Sequence, residues 1–186
     1  MIRKGDLIFT KPKLKSAASR LRRHMIVSFP QNEPYGHVGI YVGGGQVVEA
    51  QAAHGVRKIP LSRVVENNSI KVYRVIGGDA NKAAEVAKSL VGKDYSIVSA
   101  IKSYFFPRRG IESKEDRERI AREIPKRFNK FFCSTVIVAA YPELAKSINS
   151  HPFDIMPVEI MDSPKTKEIK NAIPKRYRKL DKRRKK

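Results

Sequence analysis

The chain has 186 residues, 41% of them hydrophobic, which is enough for one domain with a core of its own. Its single cysteine excludes an intramolecular disulfide and a cysteine-rich zinc site, and no apolar run is long enough to span a bilayer. The net charge of +21 points to anionic surroundings.

Taken in chain order, Met1 to Asp6 lead into a short apolar run without the long apolar core of a signal peptide. The expectation is an unexported, cytoplasmic protein, with association with a virus or phage compatible with the charge. Gly5 to Thr10 read as a turn entering a strand. Lys11 to Arg23 carry six basic residues and no acid. Within this stretch Ser16 to Ile26 suit a short basic helix, and Pro30 to Gly36 a loop. His37 to Val42 and Gln46 to Ala50 read as two strands joined by Gly43-Gly44-Gly45, because consecutive glycines permit positive φ. Gly55 to Ile59 and Ile70 to Val75 alternate polar and β-branched residues and read as further strands.

Asn81 to Val91 suit a helix capped by Asn81 and ended by Gly92. Ser113 caps a charged helix running to about Glu123, with Asp116 as the capping-box partner and Pro125 as its end. The apolar run from Cys133 to Ala140 reads as a buried helix that stops or kinks at Pro142. Pro152, Pro157 and Pro164 then allow only short or irregular elements. The folded domain is expected over 1–164. Residues 165–186 hold twelve Lys and Arg against Glu168 and Asp181, and read as a basic, flexible tail. Such segments attract an anionic polymer: nucleic acid, cell wall or acidic lipid. Only Tyr177 is interleaved as an aromatic, so base stacking is poorly supported.

Cys133 opens its helix, where unpaired backbone N–H groups and the positive dipole end favour thiolate. A lone cysteine in an apolar run is more often a small core residue. A nucleophile needs a base and a group that orients the base. His37 and Glu49 supply that pair if the three glycines form a three-residue loop. Val42 then pairs with Gln46, Gly39 sits opposite Glu49, and His37 becomes a same-face diagonal neighbour of Glu49, roughly 7–8 Å away at the backbone. A two-residue loop would turn Glu49 to the other face. His24 falls in the basic stretch, and His54 and His151 fall in loops. None forms a metal-ligand spacing with Asp or Glu, so neither metal nor cofactor is expected.

Five segments in order, Gly5-Asp6-Leu7-Ile8-Phe9, His37-Val38-Gly39-Ile40-Tyr41, Val48-Glu49-Ala50, Gly92-Lys93-Asp94-Tyr95 and Phe132-Cys133-Ser134, resemble the circularly permuted NlpC/P60 enzymes, which are papain-like cysteine hydrolases that include the YiiX-like proteins. Lecithin:retinol acyltransferase-like enzymes share the permuted order, with histidine before cysteine. Phe153 to Pro164 resemble the family's C-terminal end, so the likeness spans roughly residues 5 to 164. The resemblance implies an α+β, papain-like fold: an antiparallel sheet or partial barrel packed against helices that include the cysteine helix. It implies Cys133 as nucleophile, His37 as base, Glu49 as third member and Tyr95 lining the substrate site. Thr135 stands where YiiX-like members usually have glutamate, and Ser96 where they often have aspartate; both bear on substrate choice. YiiX-like proteins are often exported, whereas this chain shows no export signal.

The expected activity is cleavage of an amide (a peptide, an isopeptide or a peptidoglycan stem peptide) through a thioester. One alternative is lipid acyl transfer or acyl hydrolysis through the same thioester. The other is a non-catalytic basic module that binds nucleic acid or anionic membrane.

Overall fold

The computed structural model describes residues 1–13, 35–96 and 112–177. Strands β1 (Leu7–Pro12), β2 (His37–Gly43), β3 (Gln46–Gln51), β4 (Gly55–Pro60), β5 (Asn68–Val75) and β8 (Thr166–Glu168) form an antiparallel sheet in the order β4-β3-β2-β1-β5-β8. The sheet is open, with β4 and β8 at its edges, and does not close into a barrel. Two short strands, β6 (Asp94–Tyr95) and β7 (Lys130–Phe131), pair in parallel beside it.

Side-chain alternation divides the core between the two faces of the sheet. Leu7, Phe9, Val38, Ile40, Val48 and Ala50 point to one face, where they join the helices. Ile8, Val47, Ile59 and Val72 point to the other, where they meet Leu61, Val64 and Val65 of α1 (Leu61–Asn67). The sequence expectations had assigned nothing to 61–67; Pro60 starts this helix too abruptly for a capping signal to show.

On the first face lie α2 (Ala80–Ser89), α3 (Lys114–Arg127) and α4 (Cys133–Ala140). Every residue of α4 is buried, as expected for a helix apolar on all sides. It ends at Tyr141 because Pro142 opens α5 (Pro142–Ser147), where a missing N–H costs nothing. The Tyr141 hydroxyl donates to the Gly5 carbonyl at 2.9 Å and ties the end of α4 to the first turn of the chain. That turn is held in place by Asp6, which is almost fully buried. The Arg74 guanidinium donates to both Asp6 carboxylate oxygens at 2.7 and 2.8 Å, and the Arg3 N–H donates to Oδ2 at 2.7 Å. The Gly5-Asp6 segment thus fixes the sheet relative to the cysteine helix.

Three expectations need correction. The cap of α2 is Asp79, whose carboxylate accepts from the amides of Asn81 and Lys82; Asn81 lies inside the helix. Pro125 does not end α3, which runs on to Arg127. A proline one turn from the C-terminus removes a single bond, and Ala121 and Ile124 keep that turn packed. His151 lies in a loop, as expected, and is buried there, with Nε2 3.4 Å from Glu112.

The third correction concerns the domain boundary. The chain does not leave the domain at Pro164, because β8 pairs with β5 and Ala172 and Ile173 are buried in the second cluster. The Ile2 amide donates to the Ala172 carbonyl at 2.7 Å. After α6 (Pro157–Met161) the described chain therefore stays packed through Ile173. The basic helix expected at Ser16 to Ile26, most of the loop at Pro30 to Gly36, and residues 178–186 lie outside the described residues.

Candidate active site

The β2–β3 hairpin sets the geometry. Gly39 pairs with Glu49 and Ile40 with Val48, as the three-residue loop requires. The loop itself is different: Gly43 pairs with Gln46, and only Gly44 and Gly45 turn. A register shift between Tyr41 and Gly43 absorbs the residue that a two-residue turn would otherwise misplace. All three glycines have positive φ, between 59 and 88°. Two successive left-handed residues make the type I′ hairpin turn, and a third forms the bulge.

Gly39 is also needed for space. A Cβ there would lie 2.9 Å from Val47 Cγ1, 3.0 Å from the Val48 carbonyl oxygen and 3.5 Å from Glu49 Cβ. With that space open, the His37 Nε2 and Glu49 Oε2 come within 2.9 Å.

Both side chains alternate with Val38, Ile40, Val48 and Ala50, and so project from the face that α4 does not cover. The His37 imidazole and the Val38 N–H lie close enough to Cys133 to favour its thiolate. With Nε2 on the carboxylate, Nδ1 is the nitrogen left for the thiol. Ser134 Oγ lies 4.0 Å from the sulfur.

Sequence reasoning missed Arg57. It stands opposite Glu49 on β4 and donates to Glu49 Oε1 from Nε at 3.0 Å and from Nη2 at 2.7 Å. Each carboxylate oxygen thus has its own cationic partner. The available signal was the Gln51-to-Gly55 turn, which sets Arg57 across from Glu49 once its register is known.

Electrostatics follow the geometry. Burial works to raise the Glu49 pKa, but the bonds from His37 and then Arg57 prevail and hold it down to about 2. Burial would lower the His37 pKa, yet bonding to Cys133 and Glu49 pushes it up to about 10. Burial likewise opposes ionisation of Cys133, and the His37 partner outweighs it, so the thiol pKa falls. Both shifts favour a thiolate beside an imidazolium. The imidazole keeps 29% of its side-chain surface exposed, against 9% for Glu49, so the pair is reached from the histidine side.

Tyr95 is brought to the same place. β6 runs beside β7, which leads straight into Cys133, and the Ser96 amide donates to the Phe131 carbonyl at 2.9 Å. The phenol is held neutral, first by burial and then by the negative charge of Cys133. Ser96 is buried. Thr135 is buried in the first turn of α4, and its hydroxyl has no hydrogen-bond partner among the described residues. His54 is exposed in a turn, and His24 lies outside the described residues. Among the described residues no group of three or more His, Cys, Asp or Glu is placed to hold a metal ion.

A family model described as the permuted papain-like amidase enzymes, YaeF/YiiX, C92 family, matches residues 1–105, more than half of the chain. The matched span contains His37, Glu49, Arg57 and Tyr95 and stops short of Cys133. No curated protein and no solved structure matches the chain.

Proposed function

The chain belongs to the YaeF/YiiX, C92 family of permuted papain-like cysteine amidases, and from that premise we propose that it cleaves an amide through a thioester on Cys133, with His37 as base and Glu49 as the third member. One observation carries this reading: the His37 imidazole meets the Glu49 carboxylate at 2.9 Å and lies close enough to Cys133 that each favours the other's charged form.

The Cys133 thiolate attacks the amide carbon, and the carbonyl electrons move onto oxygen. The Cys133 N–H, which has no acceptor within α4, meets that oxyanion. As the tetrahedral species collapses, the imidazolium gives its proton to the departing amine and the C–N bond breaks. A water molecule then loses a proton to neutral His37 and attacks the thioester. The acid leaves, and the thiolate–imidazolium pair is restored. Glu49, fixed by Arg57, orients the imidazole and stabilises its charged form. Tyr95 lines the site and excludes water from one side of the sulfur. The substrate class is a peptide, isopeptide or peptidoglycan stem amide.

The test is labelling with an electrophilic amide-mimetic probe, followed by mapping of the modified residue. The expected adduct is on Cys133 alone, and Cys133→Ala should remove both labelling and turnover while the circular dichroism spectrum is unchanged. Turnover retained in Cys133→Ala would refute the assignment.

A further inference from the structure

The first turn of α4 carries two hydroxyls directly after the thiol, on Ser134 and Thr135, and both residues are buried. Serine or threonine at a helix start usually caps it, with the side-chain oxygen accepting a backbone N–H. Neither does so here, because the cap position is Phe132 and no side chain bonds there. Ser134 is completely buried, and its Oγ lies 4.0 Å from the Cys133 sulfur, within hydrogen-bond reach of so large an atom. While the thiol is protonated, either atom can donate. The thiolate has no proton, so then only the Ser134 hydroxyl can donate. A hydrogen bond to an ionised acceptor is roughly twice as strong as one between neutral groups. The contact therefore strengthens as Cys133 ionises, and that favours the thiolate. Hydrogen bonds of this kind are often long in an unliganded site and tighten as charge develops.

From this geometry we infer that Ser134 is a further catalytic residue, whose hydroxyl donates to the Cys133 thiolate before attack and again when sulfur leaves the thioester. No bond forms or breaks at the serine, and its proton stays on Oγ. In the second half of the reaction the C–S bond breaks with its electron pair on sulfur, and that sulfur meets the same hydroxyl. Burial opposes ionisation of the thiol; His37 works against burial, and so do the Val38 N–H and Ser134. The other titratable groups about the sulfur are His37 on β2 and Tyr95 on β6, with Glu49 and Arg57 behind His37. The helices packed on α4 bring Ala84, Ala87, Ile124, Leu144 and Ile160 to the core they share with it. The inference rests on Cys133 as the nucleophile, but its readout needs no substrate.

The test is the rate of alkylation of the full chain by iodoacetamide as a function of pH, which reports on one thiol because the chain has a single cysteine. In Ser134→Ala the rising limb should move to higher pH. At a fixed pH on that limb the rate should fall about tenfold, the scale of one hydrogen bond to a charged group. The plateau at high pH should be unchanged or higher, since a less stabilised thiolate is intrinsically the better nucleophile. Thr135→Val removes the neighbouring buried hydroxyl, which has no hydrogen-bond partner among the described residues, and should leave the limb in place. A limb unmoved in Ser134→Ala would overturn the inference. Equal movement in Thr135→Val would also overturn it, by tracing the effect to the polarity of the helix end. A lowered plateau together with a lower urea midpoint, and no movement of the limb, would make Ser134 a packing residue alone. Each of these failures leaves the dependence of turnover on Cys133 standing, whereas turnover retained in Cys133→Ala would remove the nucleophile itself.

Discussion

Arg57 and Glu49 face each other directly across β3 and β4, and the guanidinium holds one carboxylate oxygen from two nitrogens while His37 holds the other. The arginine therefore does two things to the imidazole. It fixes the carboxylate in position, and it keeps that carboxylate ionised. Arg57→Ala leaves Glu49 with one partner, and a charged hydrogen bond of about 1.5–3 kcal/mol is lost. If that energy appears in the transition state, kcat falls by about 10- to 100-fold. Arg57→Lys, which keeps charge but not the two-nitrogen contact, should recover only part. A kcat equal to wild type in Arg57→Ala would mean that Glu49 is held by His37 alone.

The pH dependence has a definite sign on both sides. Turnover needs thiolate and imidazolium together. It should rise as Cys133 ionises, below the ordinary thiol range, and fall as His37 loses its proton near about 10. The two limbs belong to the coupled pair rather than to either residue. Alkylation by iodoacetamide needs only the thiolate, so its rate should rise over the first limb and not fall over the second. Stability follows the same groups. The Glu49 contribution is complete above its ordinary value of 4.5 and is lost as pH falls toward about 2. The His37 contribution is complete below 6.5 and is lost as pH rises toward about 10. In His37→Ala the thiol pKa should return upward, seen as slow alkylation near neutral pH. An unchanged alkylation profile would remove His37 as the activating group.

The His37–Glu49 contact was legible because a strand alternates and because Gly39, opposite Glu49, has no side chain to block it. The turn was read with the right consequence and the wrong loop length, since a bulge and a two-residue turn together give the same register as a three-residue loop. Arg57 was hidden by the turn Ala52-Ala53-His54-Gly55, whose residues do not dictate a register. β8 was hidden for a different reason. Thr166-Lys167-Glu168 is a polar edge strand inside a run of lysines, so it has the composition of a tail, and only Ala172 and Ile173 mark the chain as still packed. α2 was legible from apolar periodicity and α4 from its continuous apolar run, and the cap of α2 was misplaced because Asp79 and Asn81 are both good capping residues.

That packing makes the C-terminal boundary measurable. Truncation after Pro164 removes β8 and takes Ala172 and Ile173 out of the buried cluster that also holds Ile2, Ile8 and Val72. Burying one isoleucine side chain contributes about 1.5–3 kcal/mol, and three strand pairings are lost besides. The truncated chain should unfold at markedly lower urea concentration than the full chain. A chain ending at Tyr177 keeps these contacts and should retain the full-length midpoint. Equal midpoints for the 164 and 177 truncations would show that residues 165–177 do not support the fold.

Gly39→Ala tests the register from inside the site. The new methyl would meet Val47 Cγ1 at 2.9 Å and the Val48 carbonyl oxygen at 3.0 Å. A side chain can turn away, but a carbonyl held in the ladder cannot, so the strand itself must shift. Overpacking of this kind costs about 1–3 kcal/mol. A shift of β3 also carries Glu49 away from His37, because both depend on the same pairing. The expected result is a lower unfolding midpoint together with a lower kcat, and Val47→Ala in the same chain should restore part of the stability and less of the activity. If Gly39→Ala lost stability but kept full kcat, the carboxylate would be positioned independently of the hairpin register, by Arg57 and β4 alone.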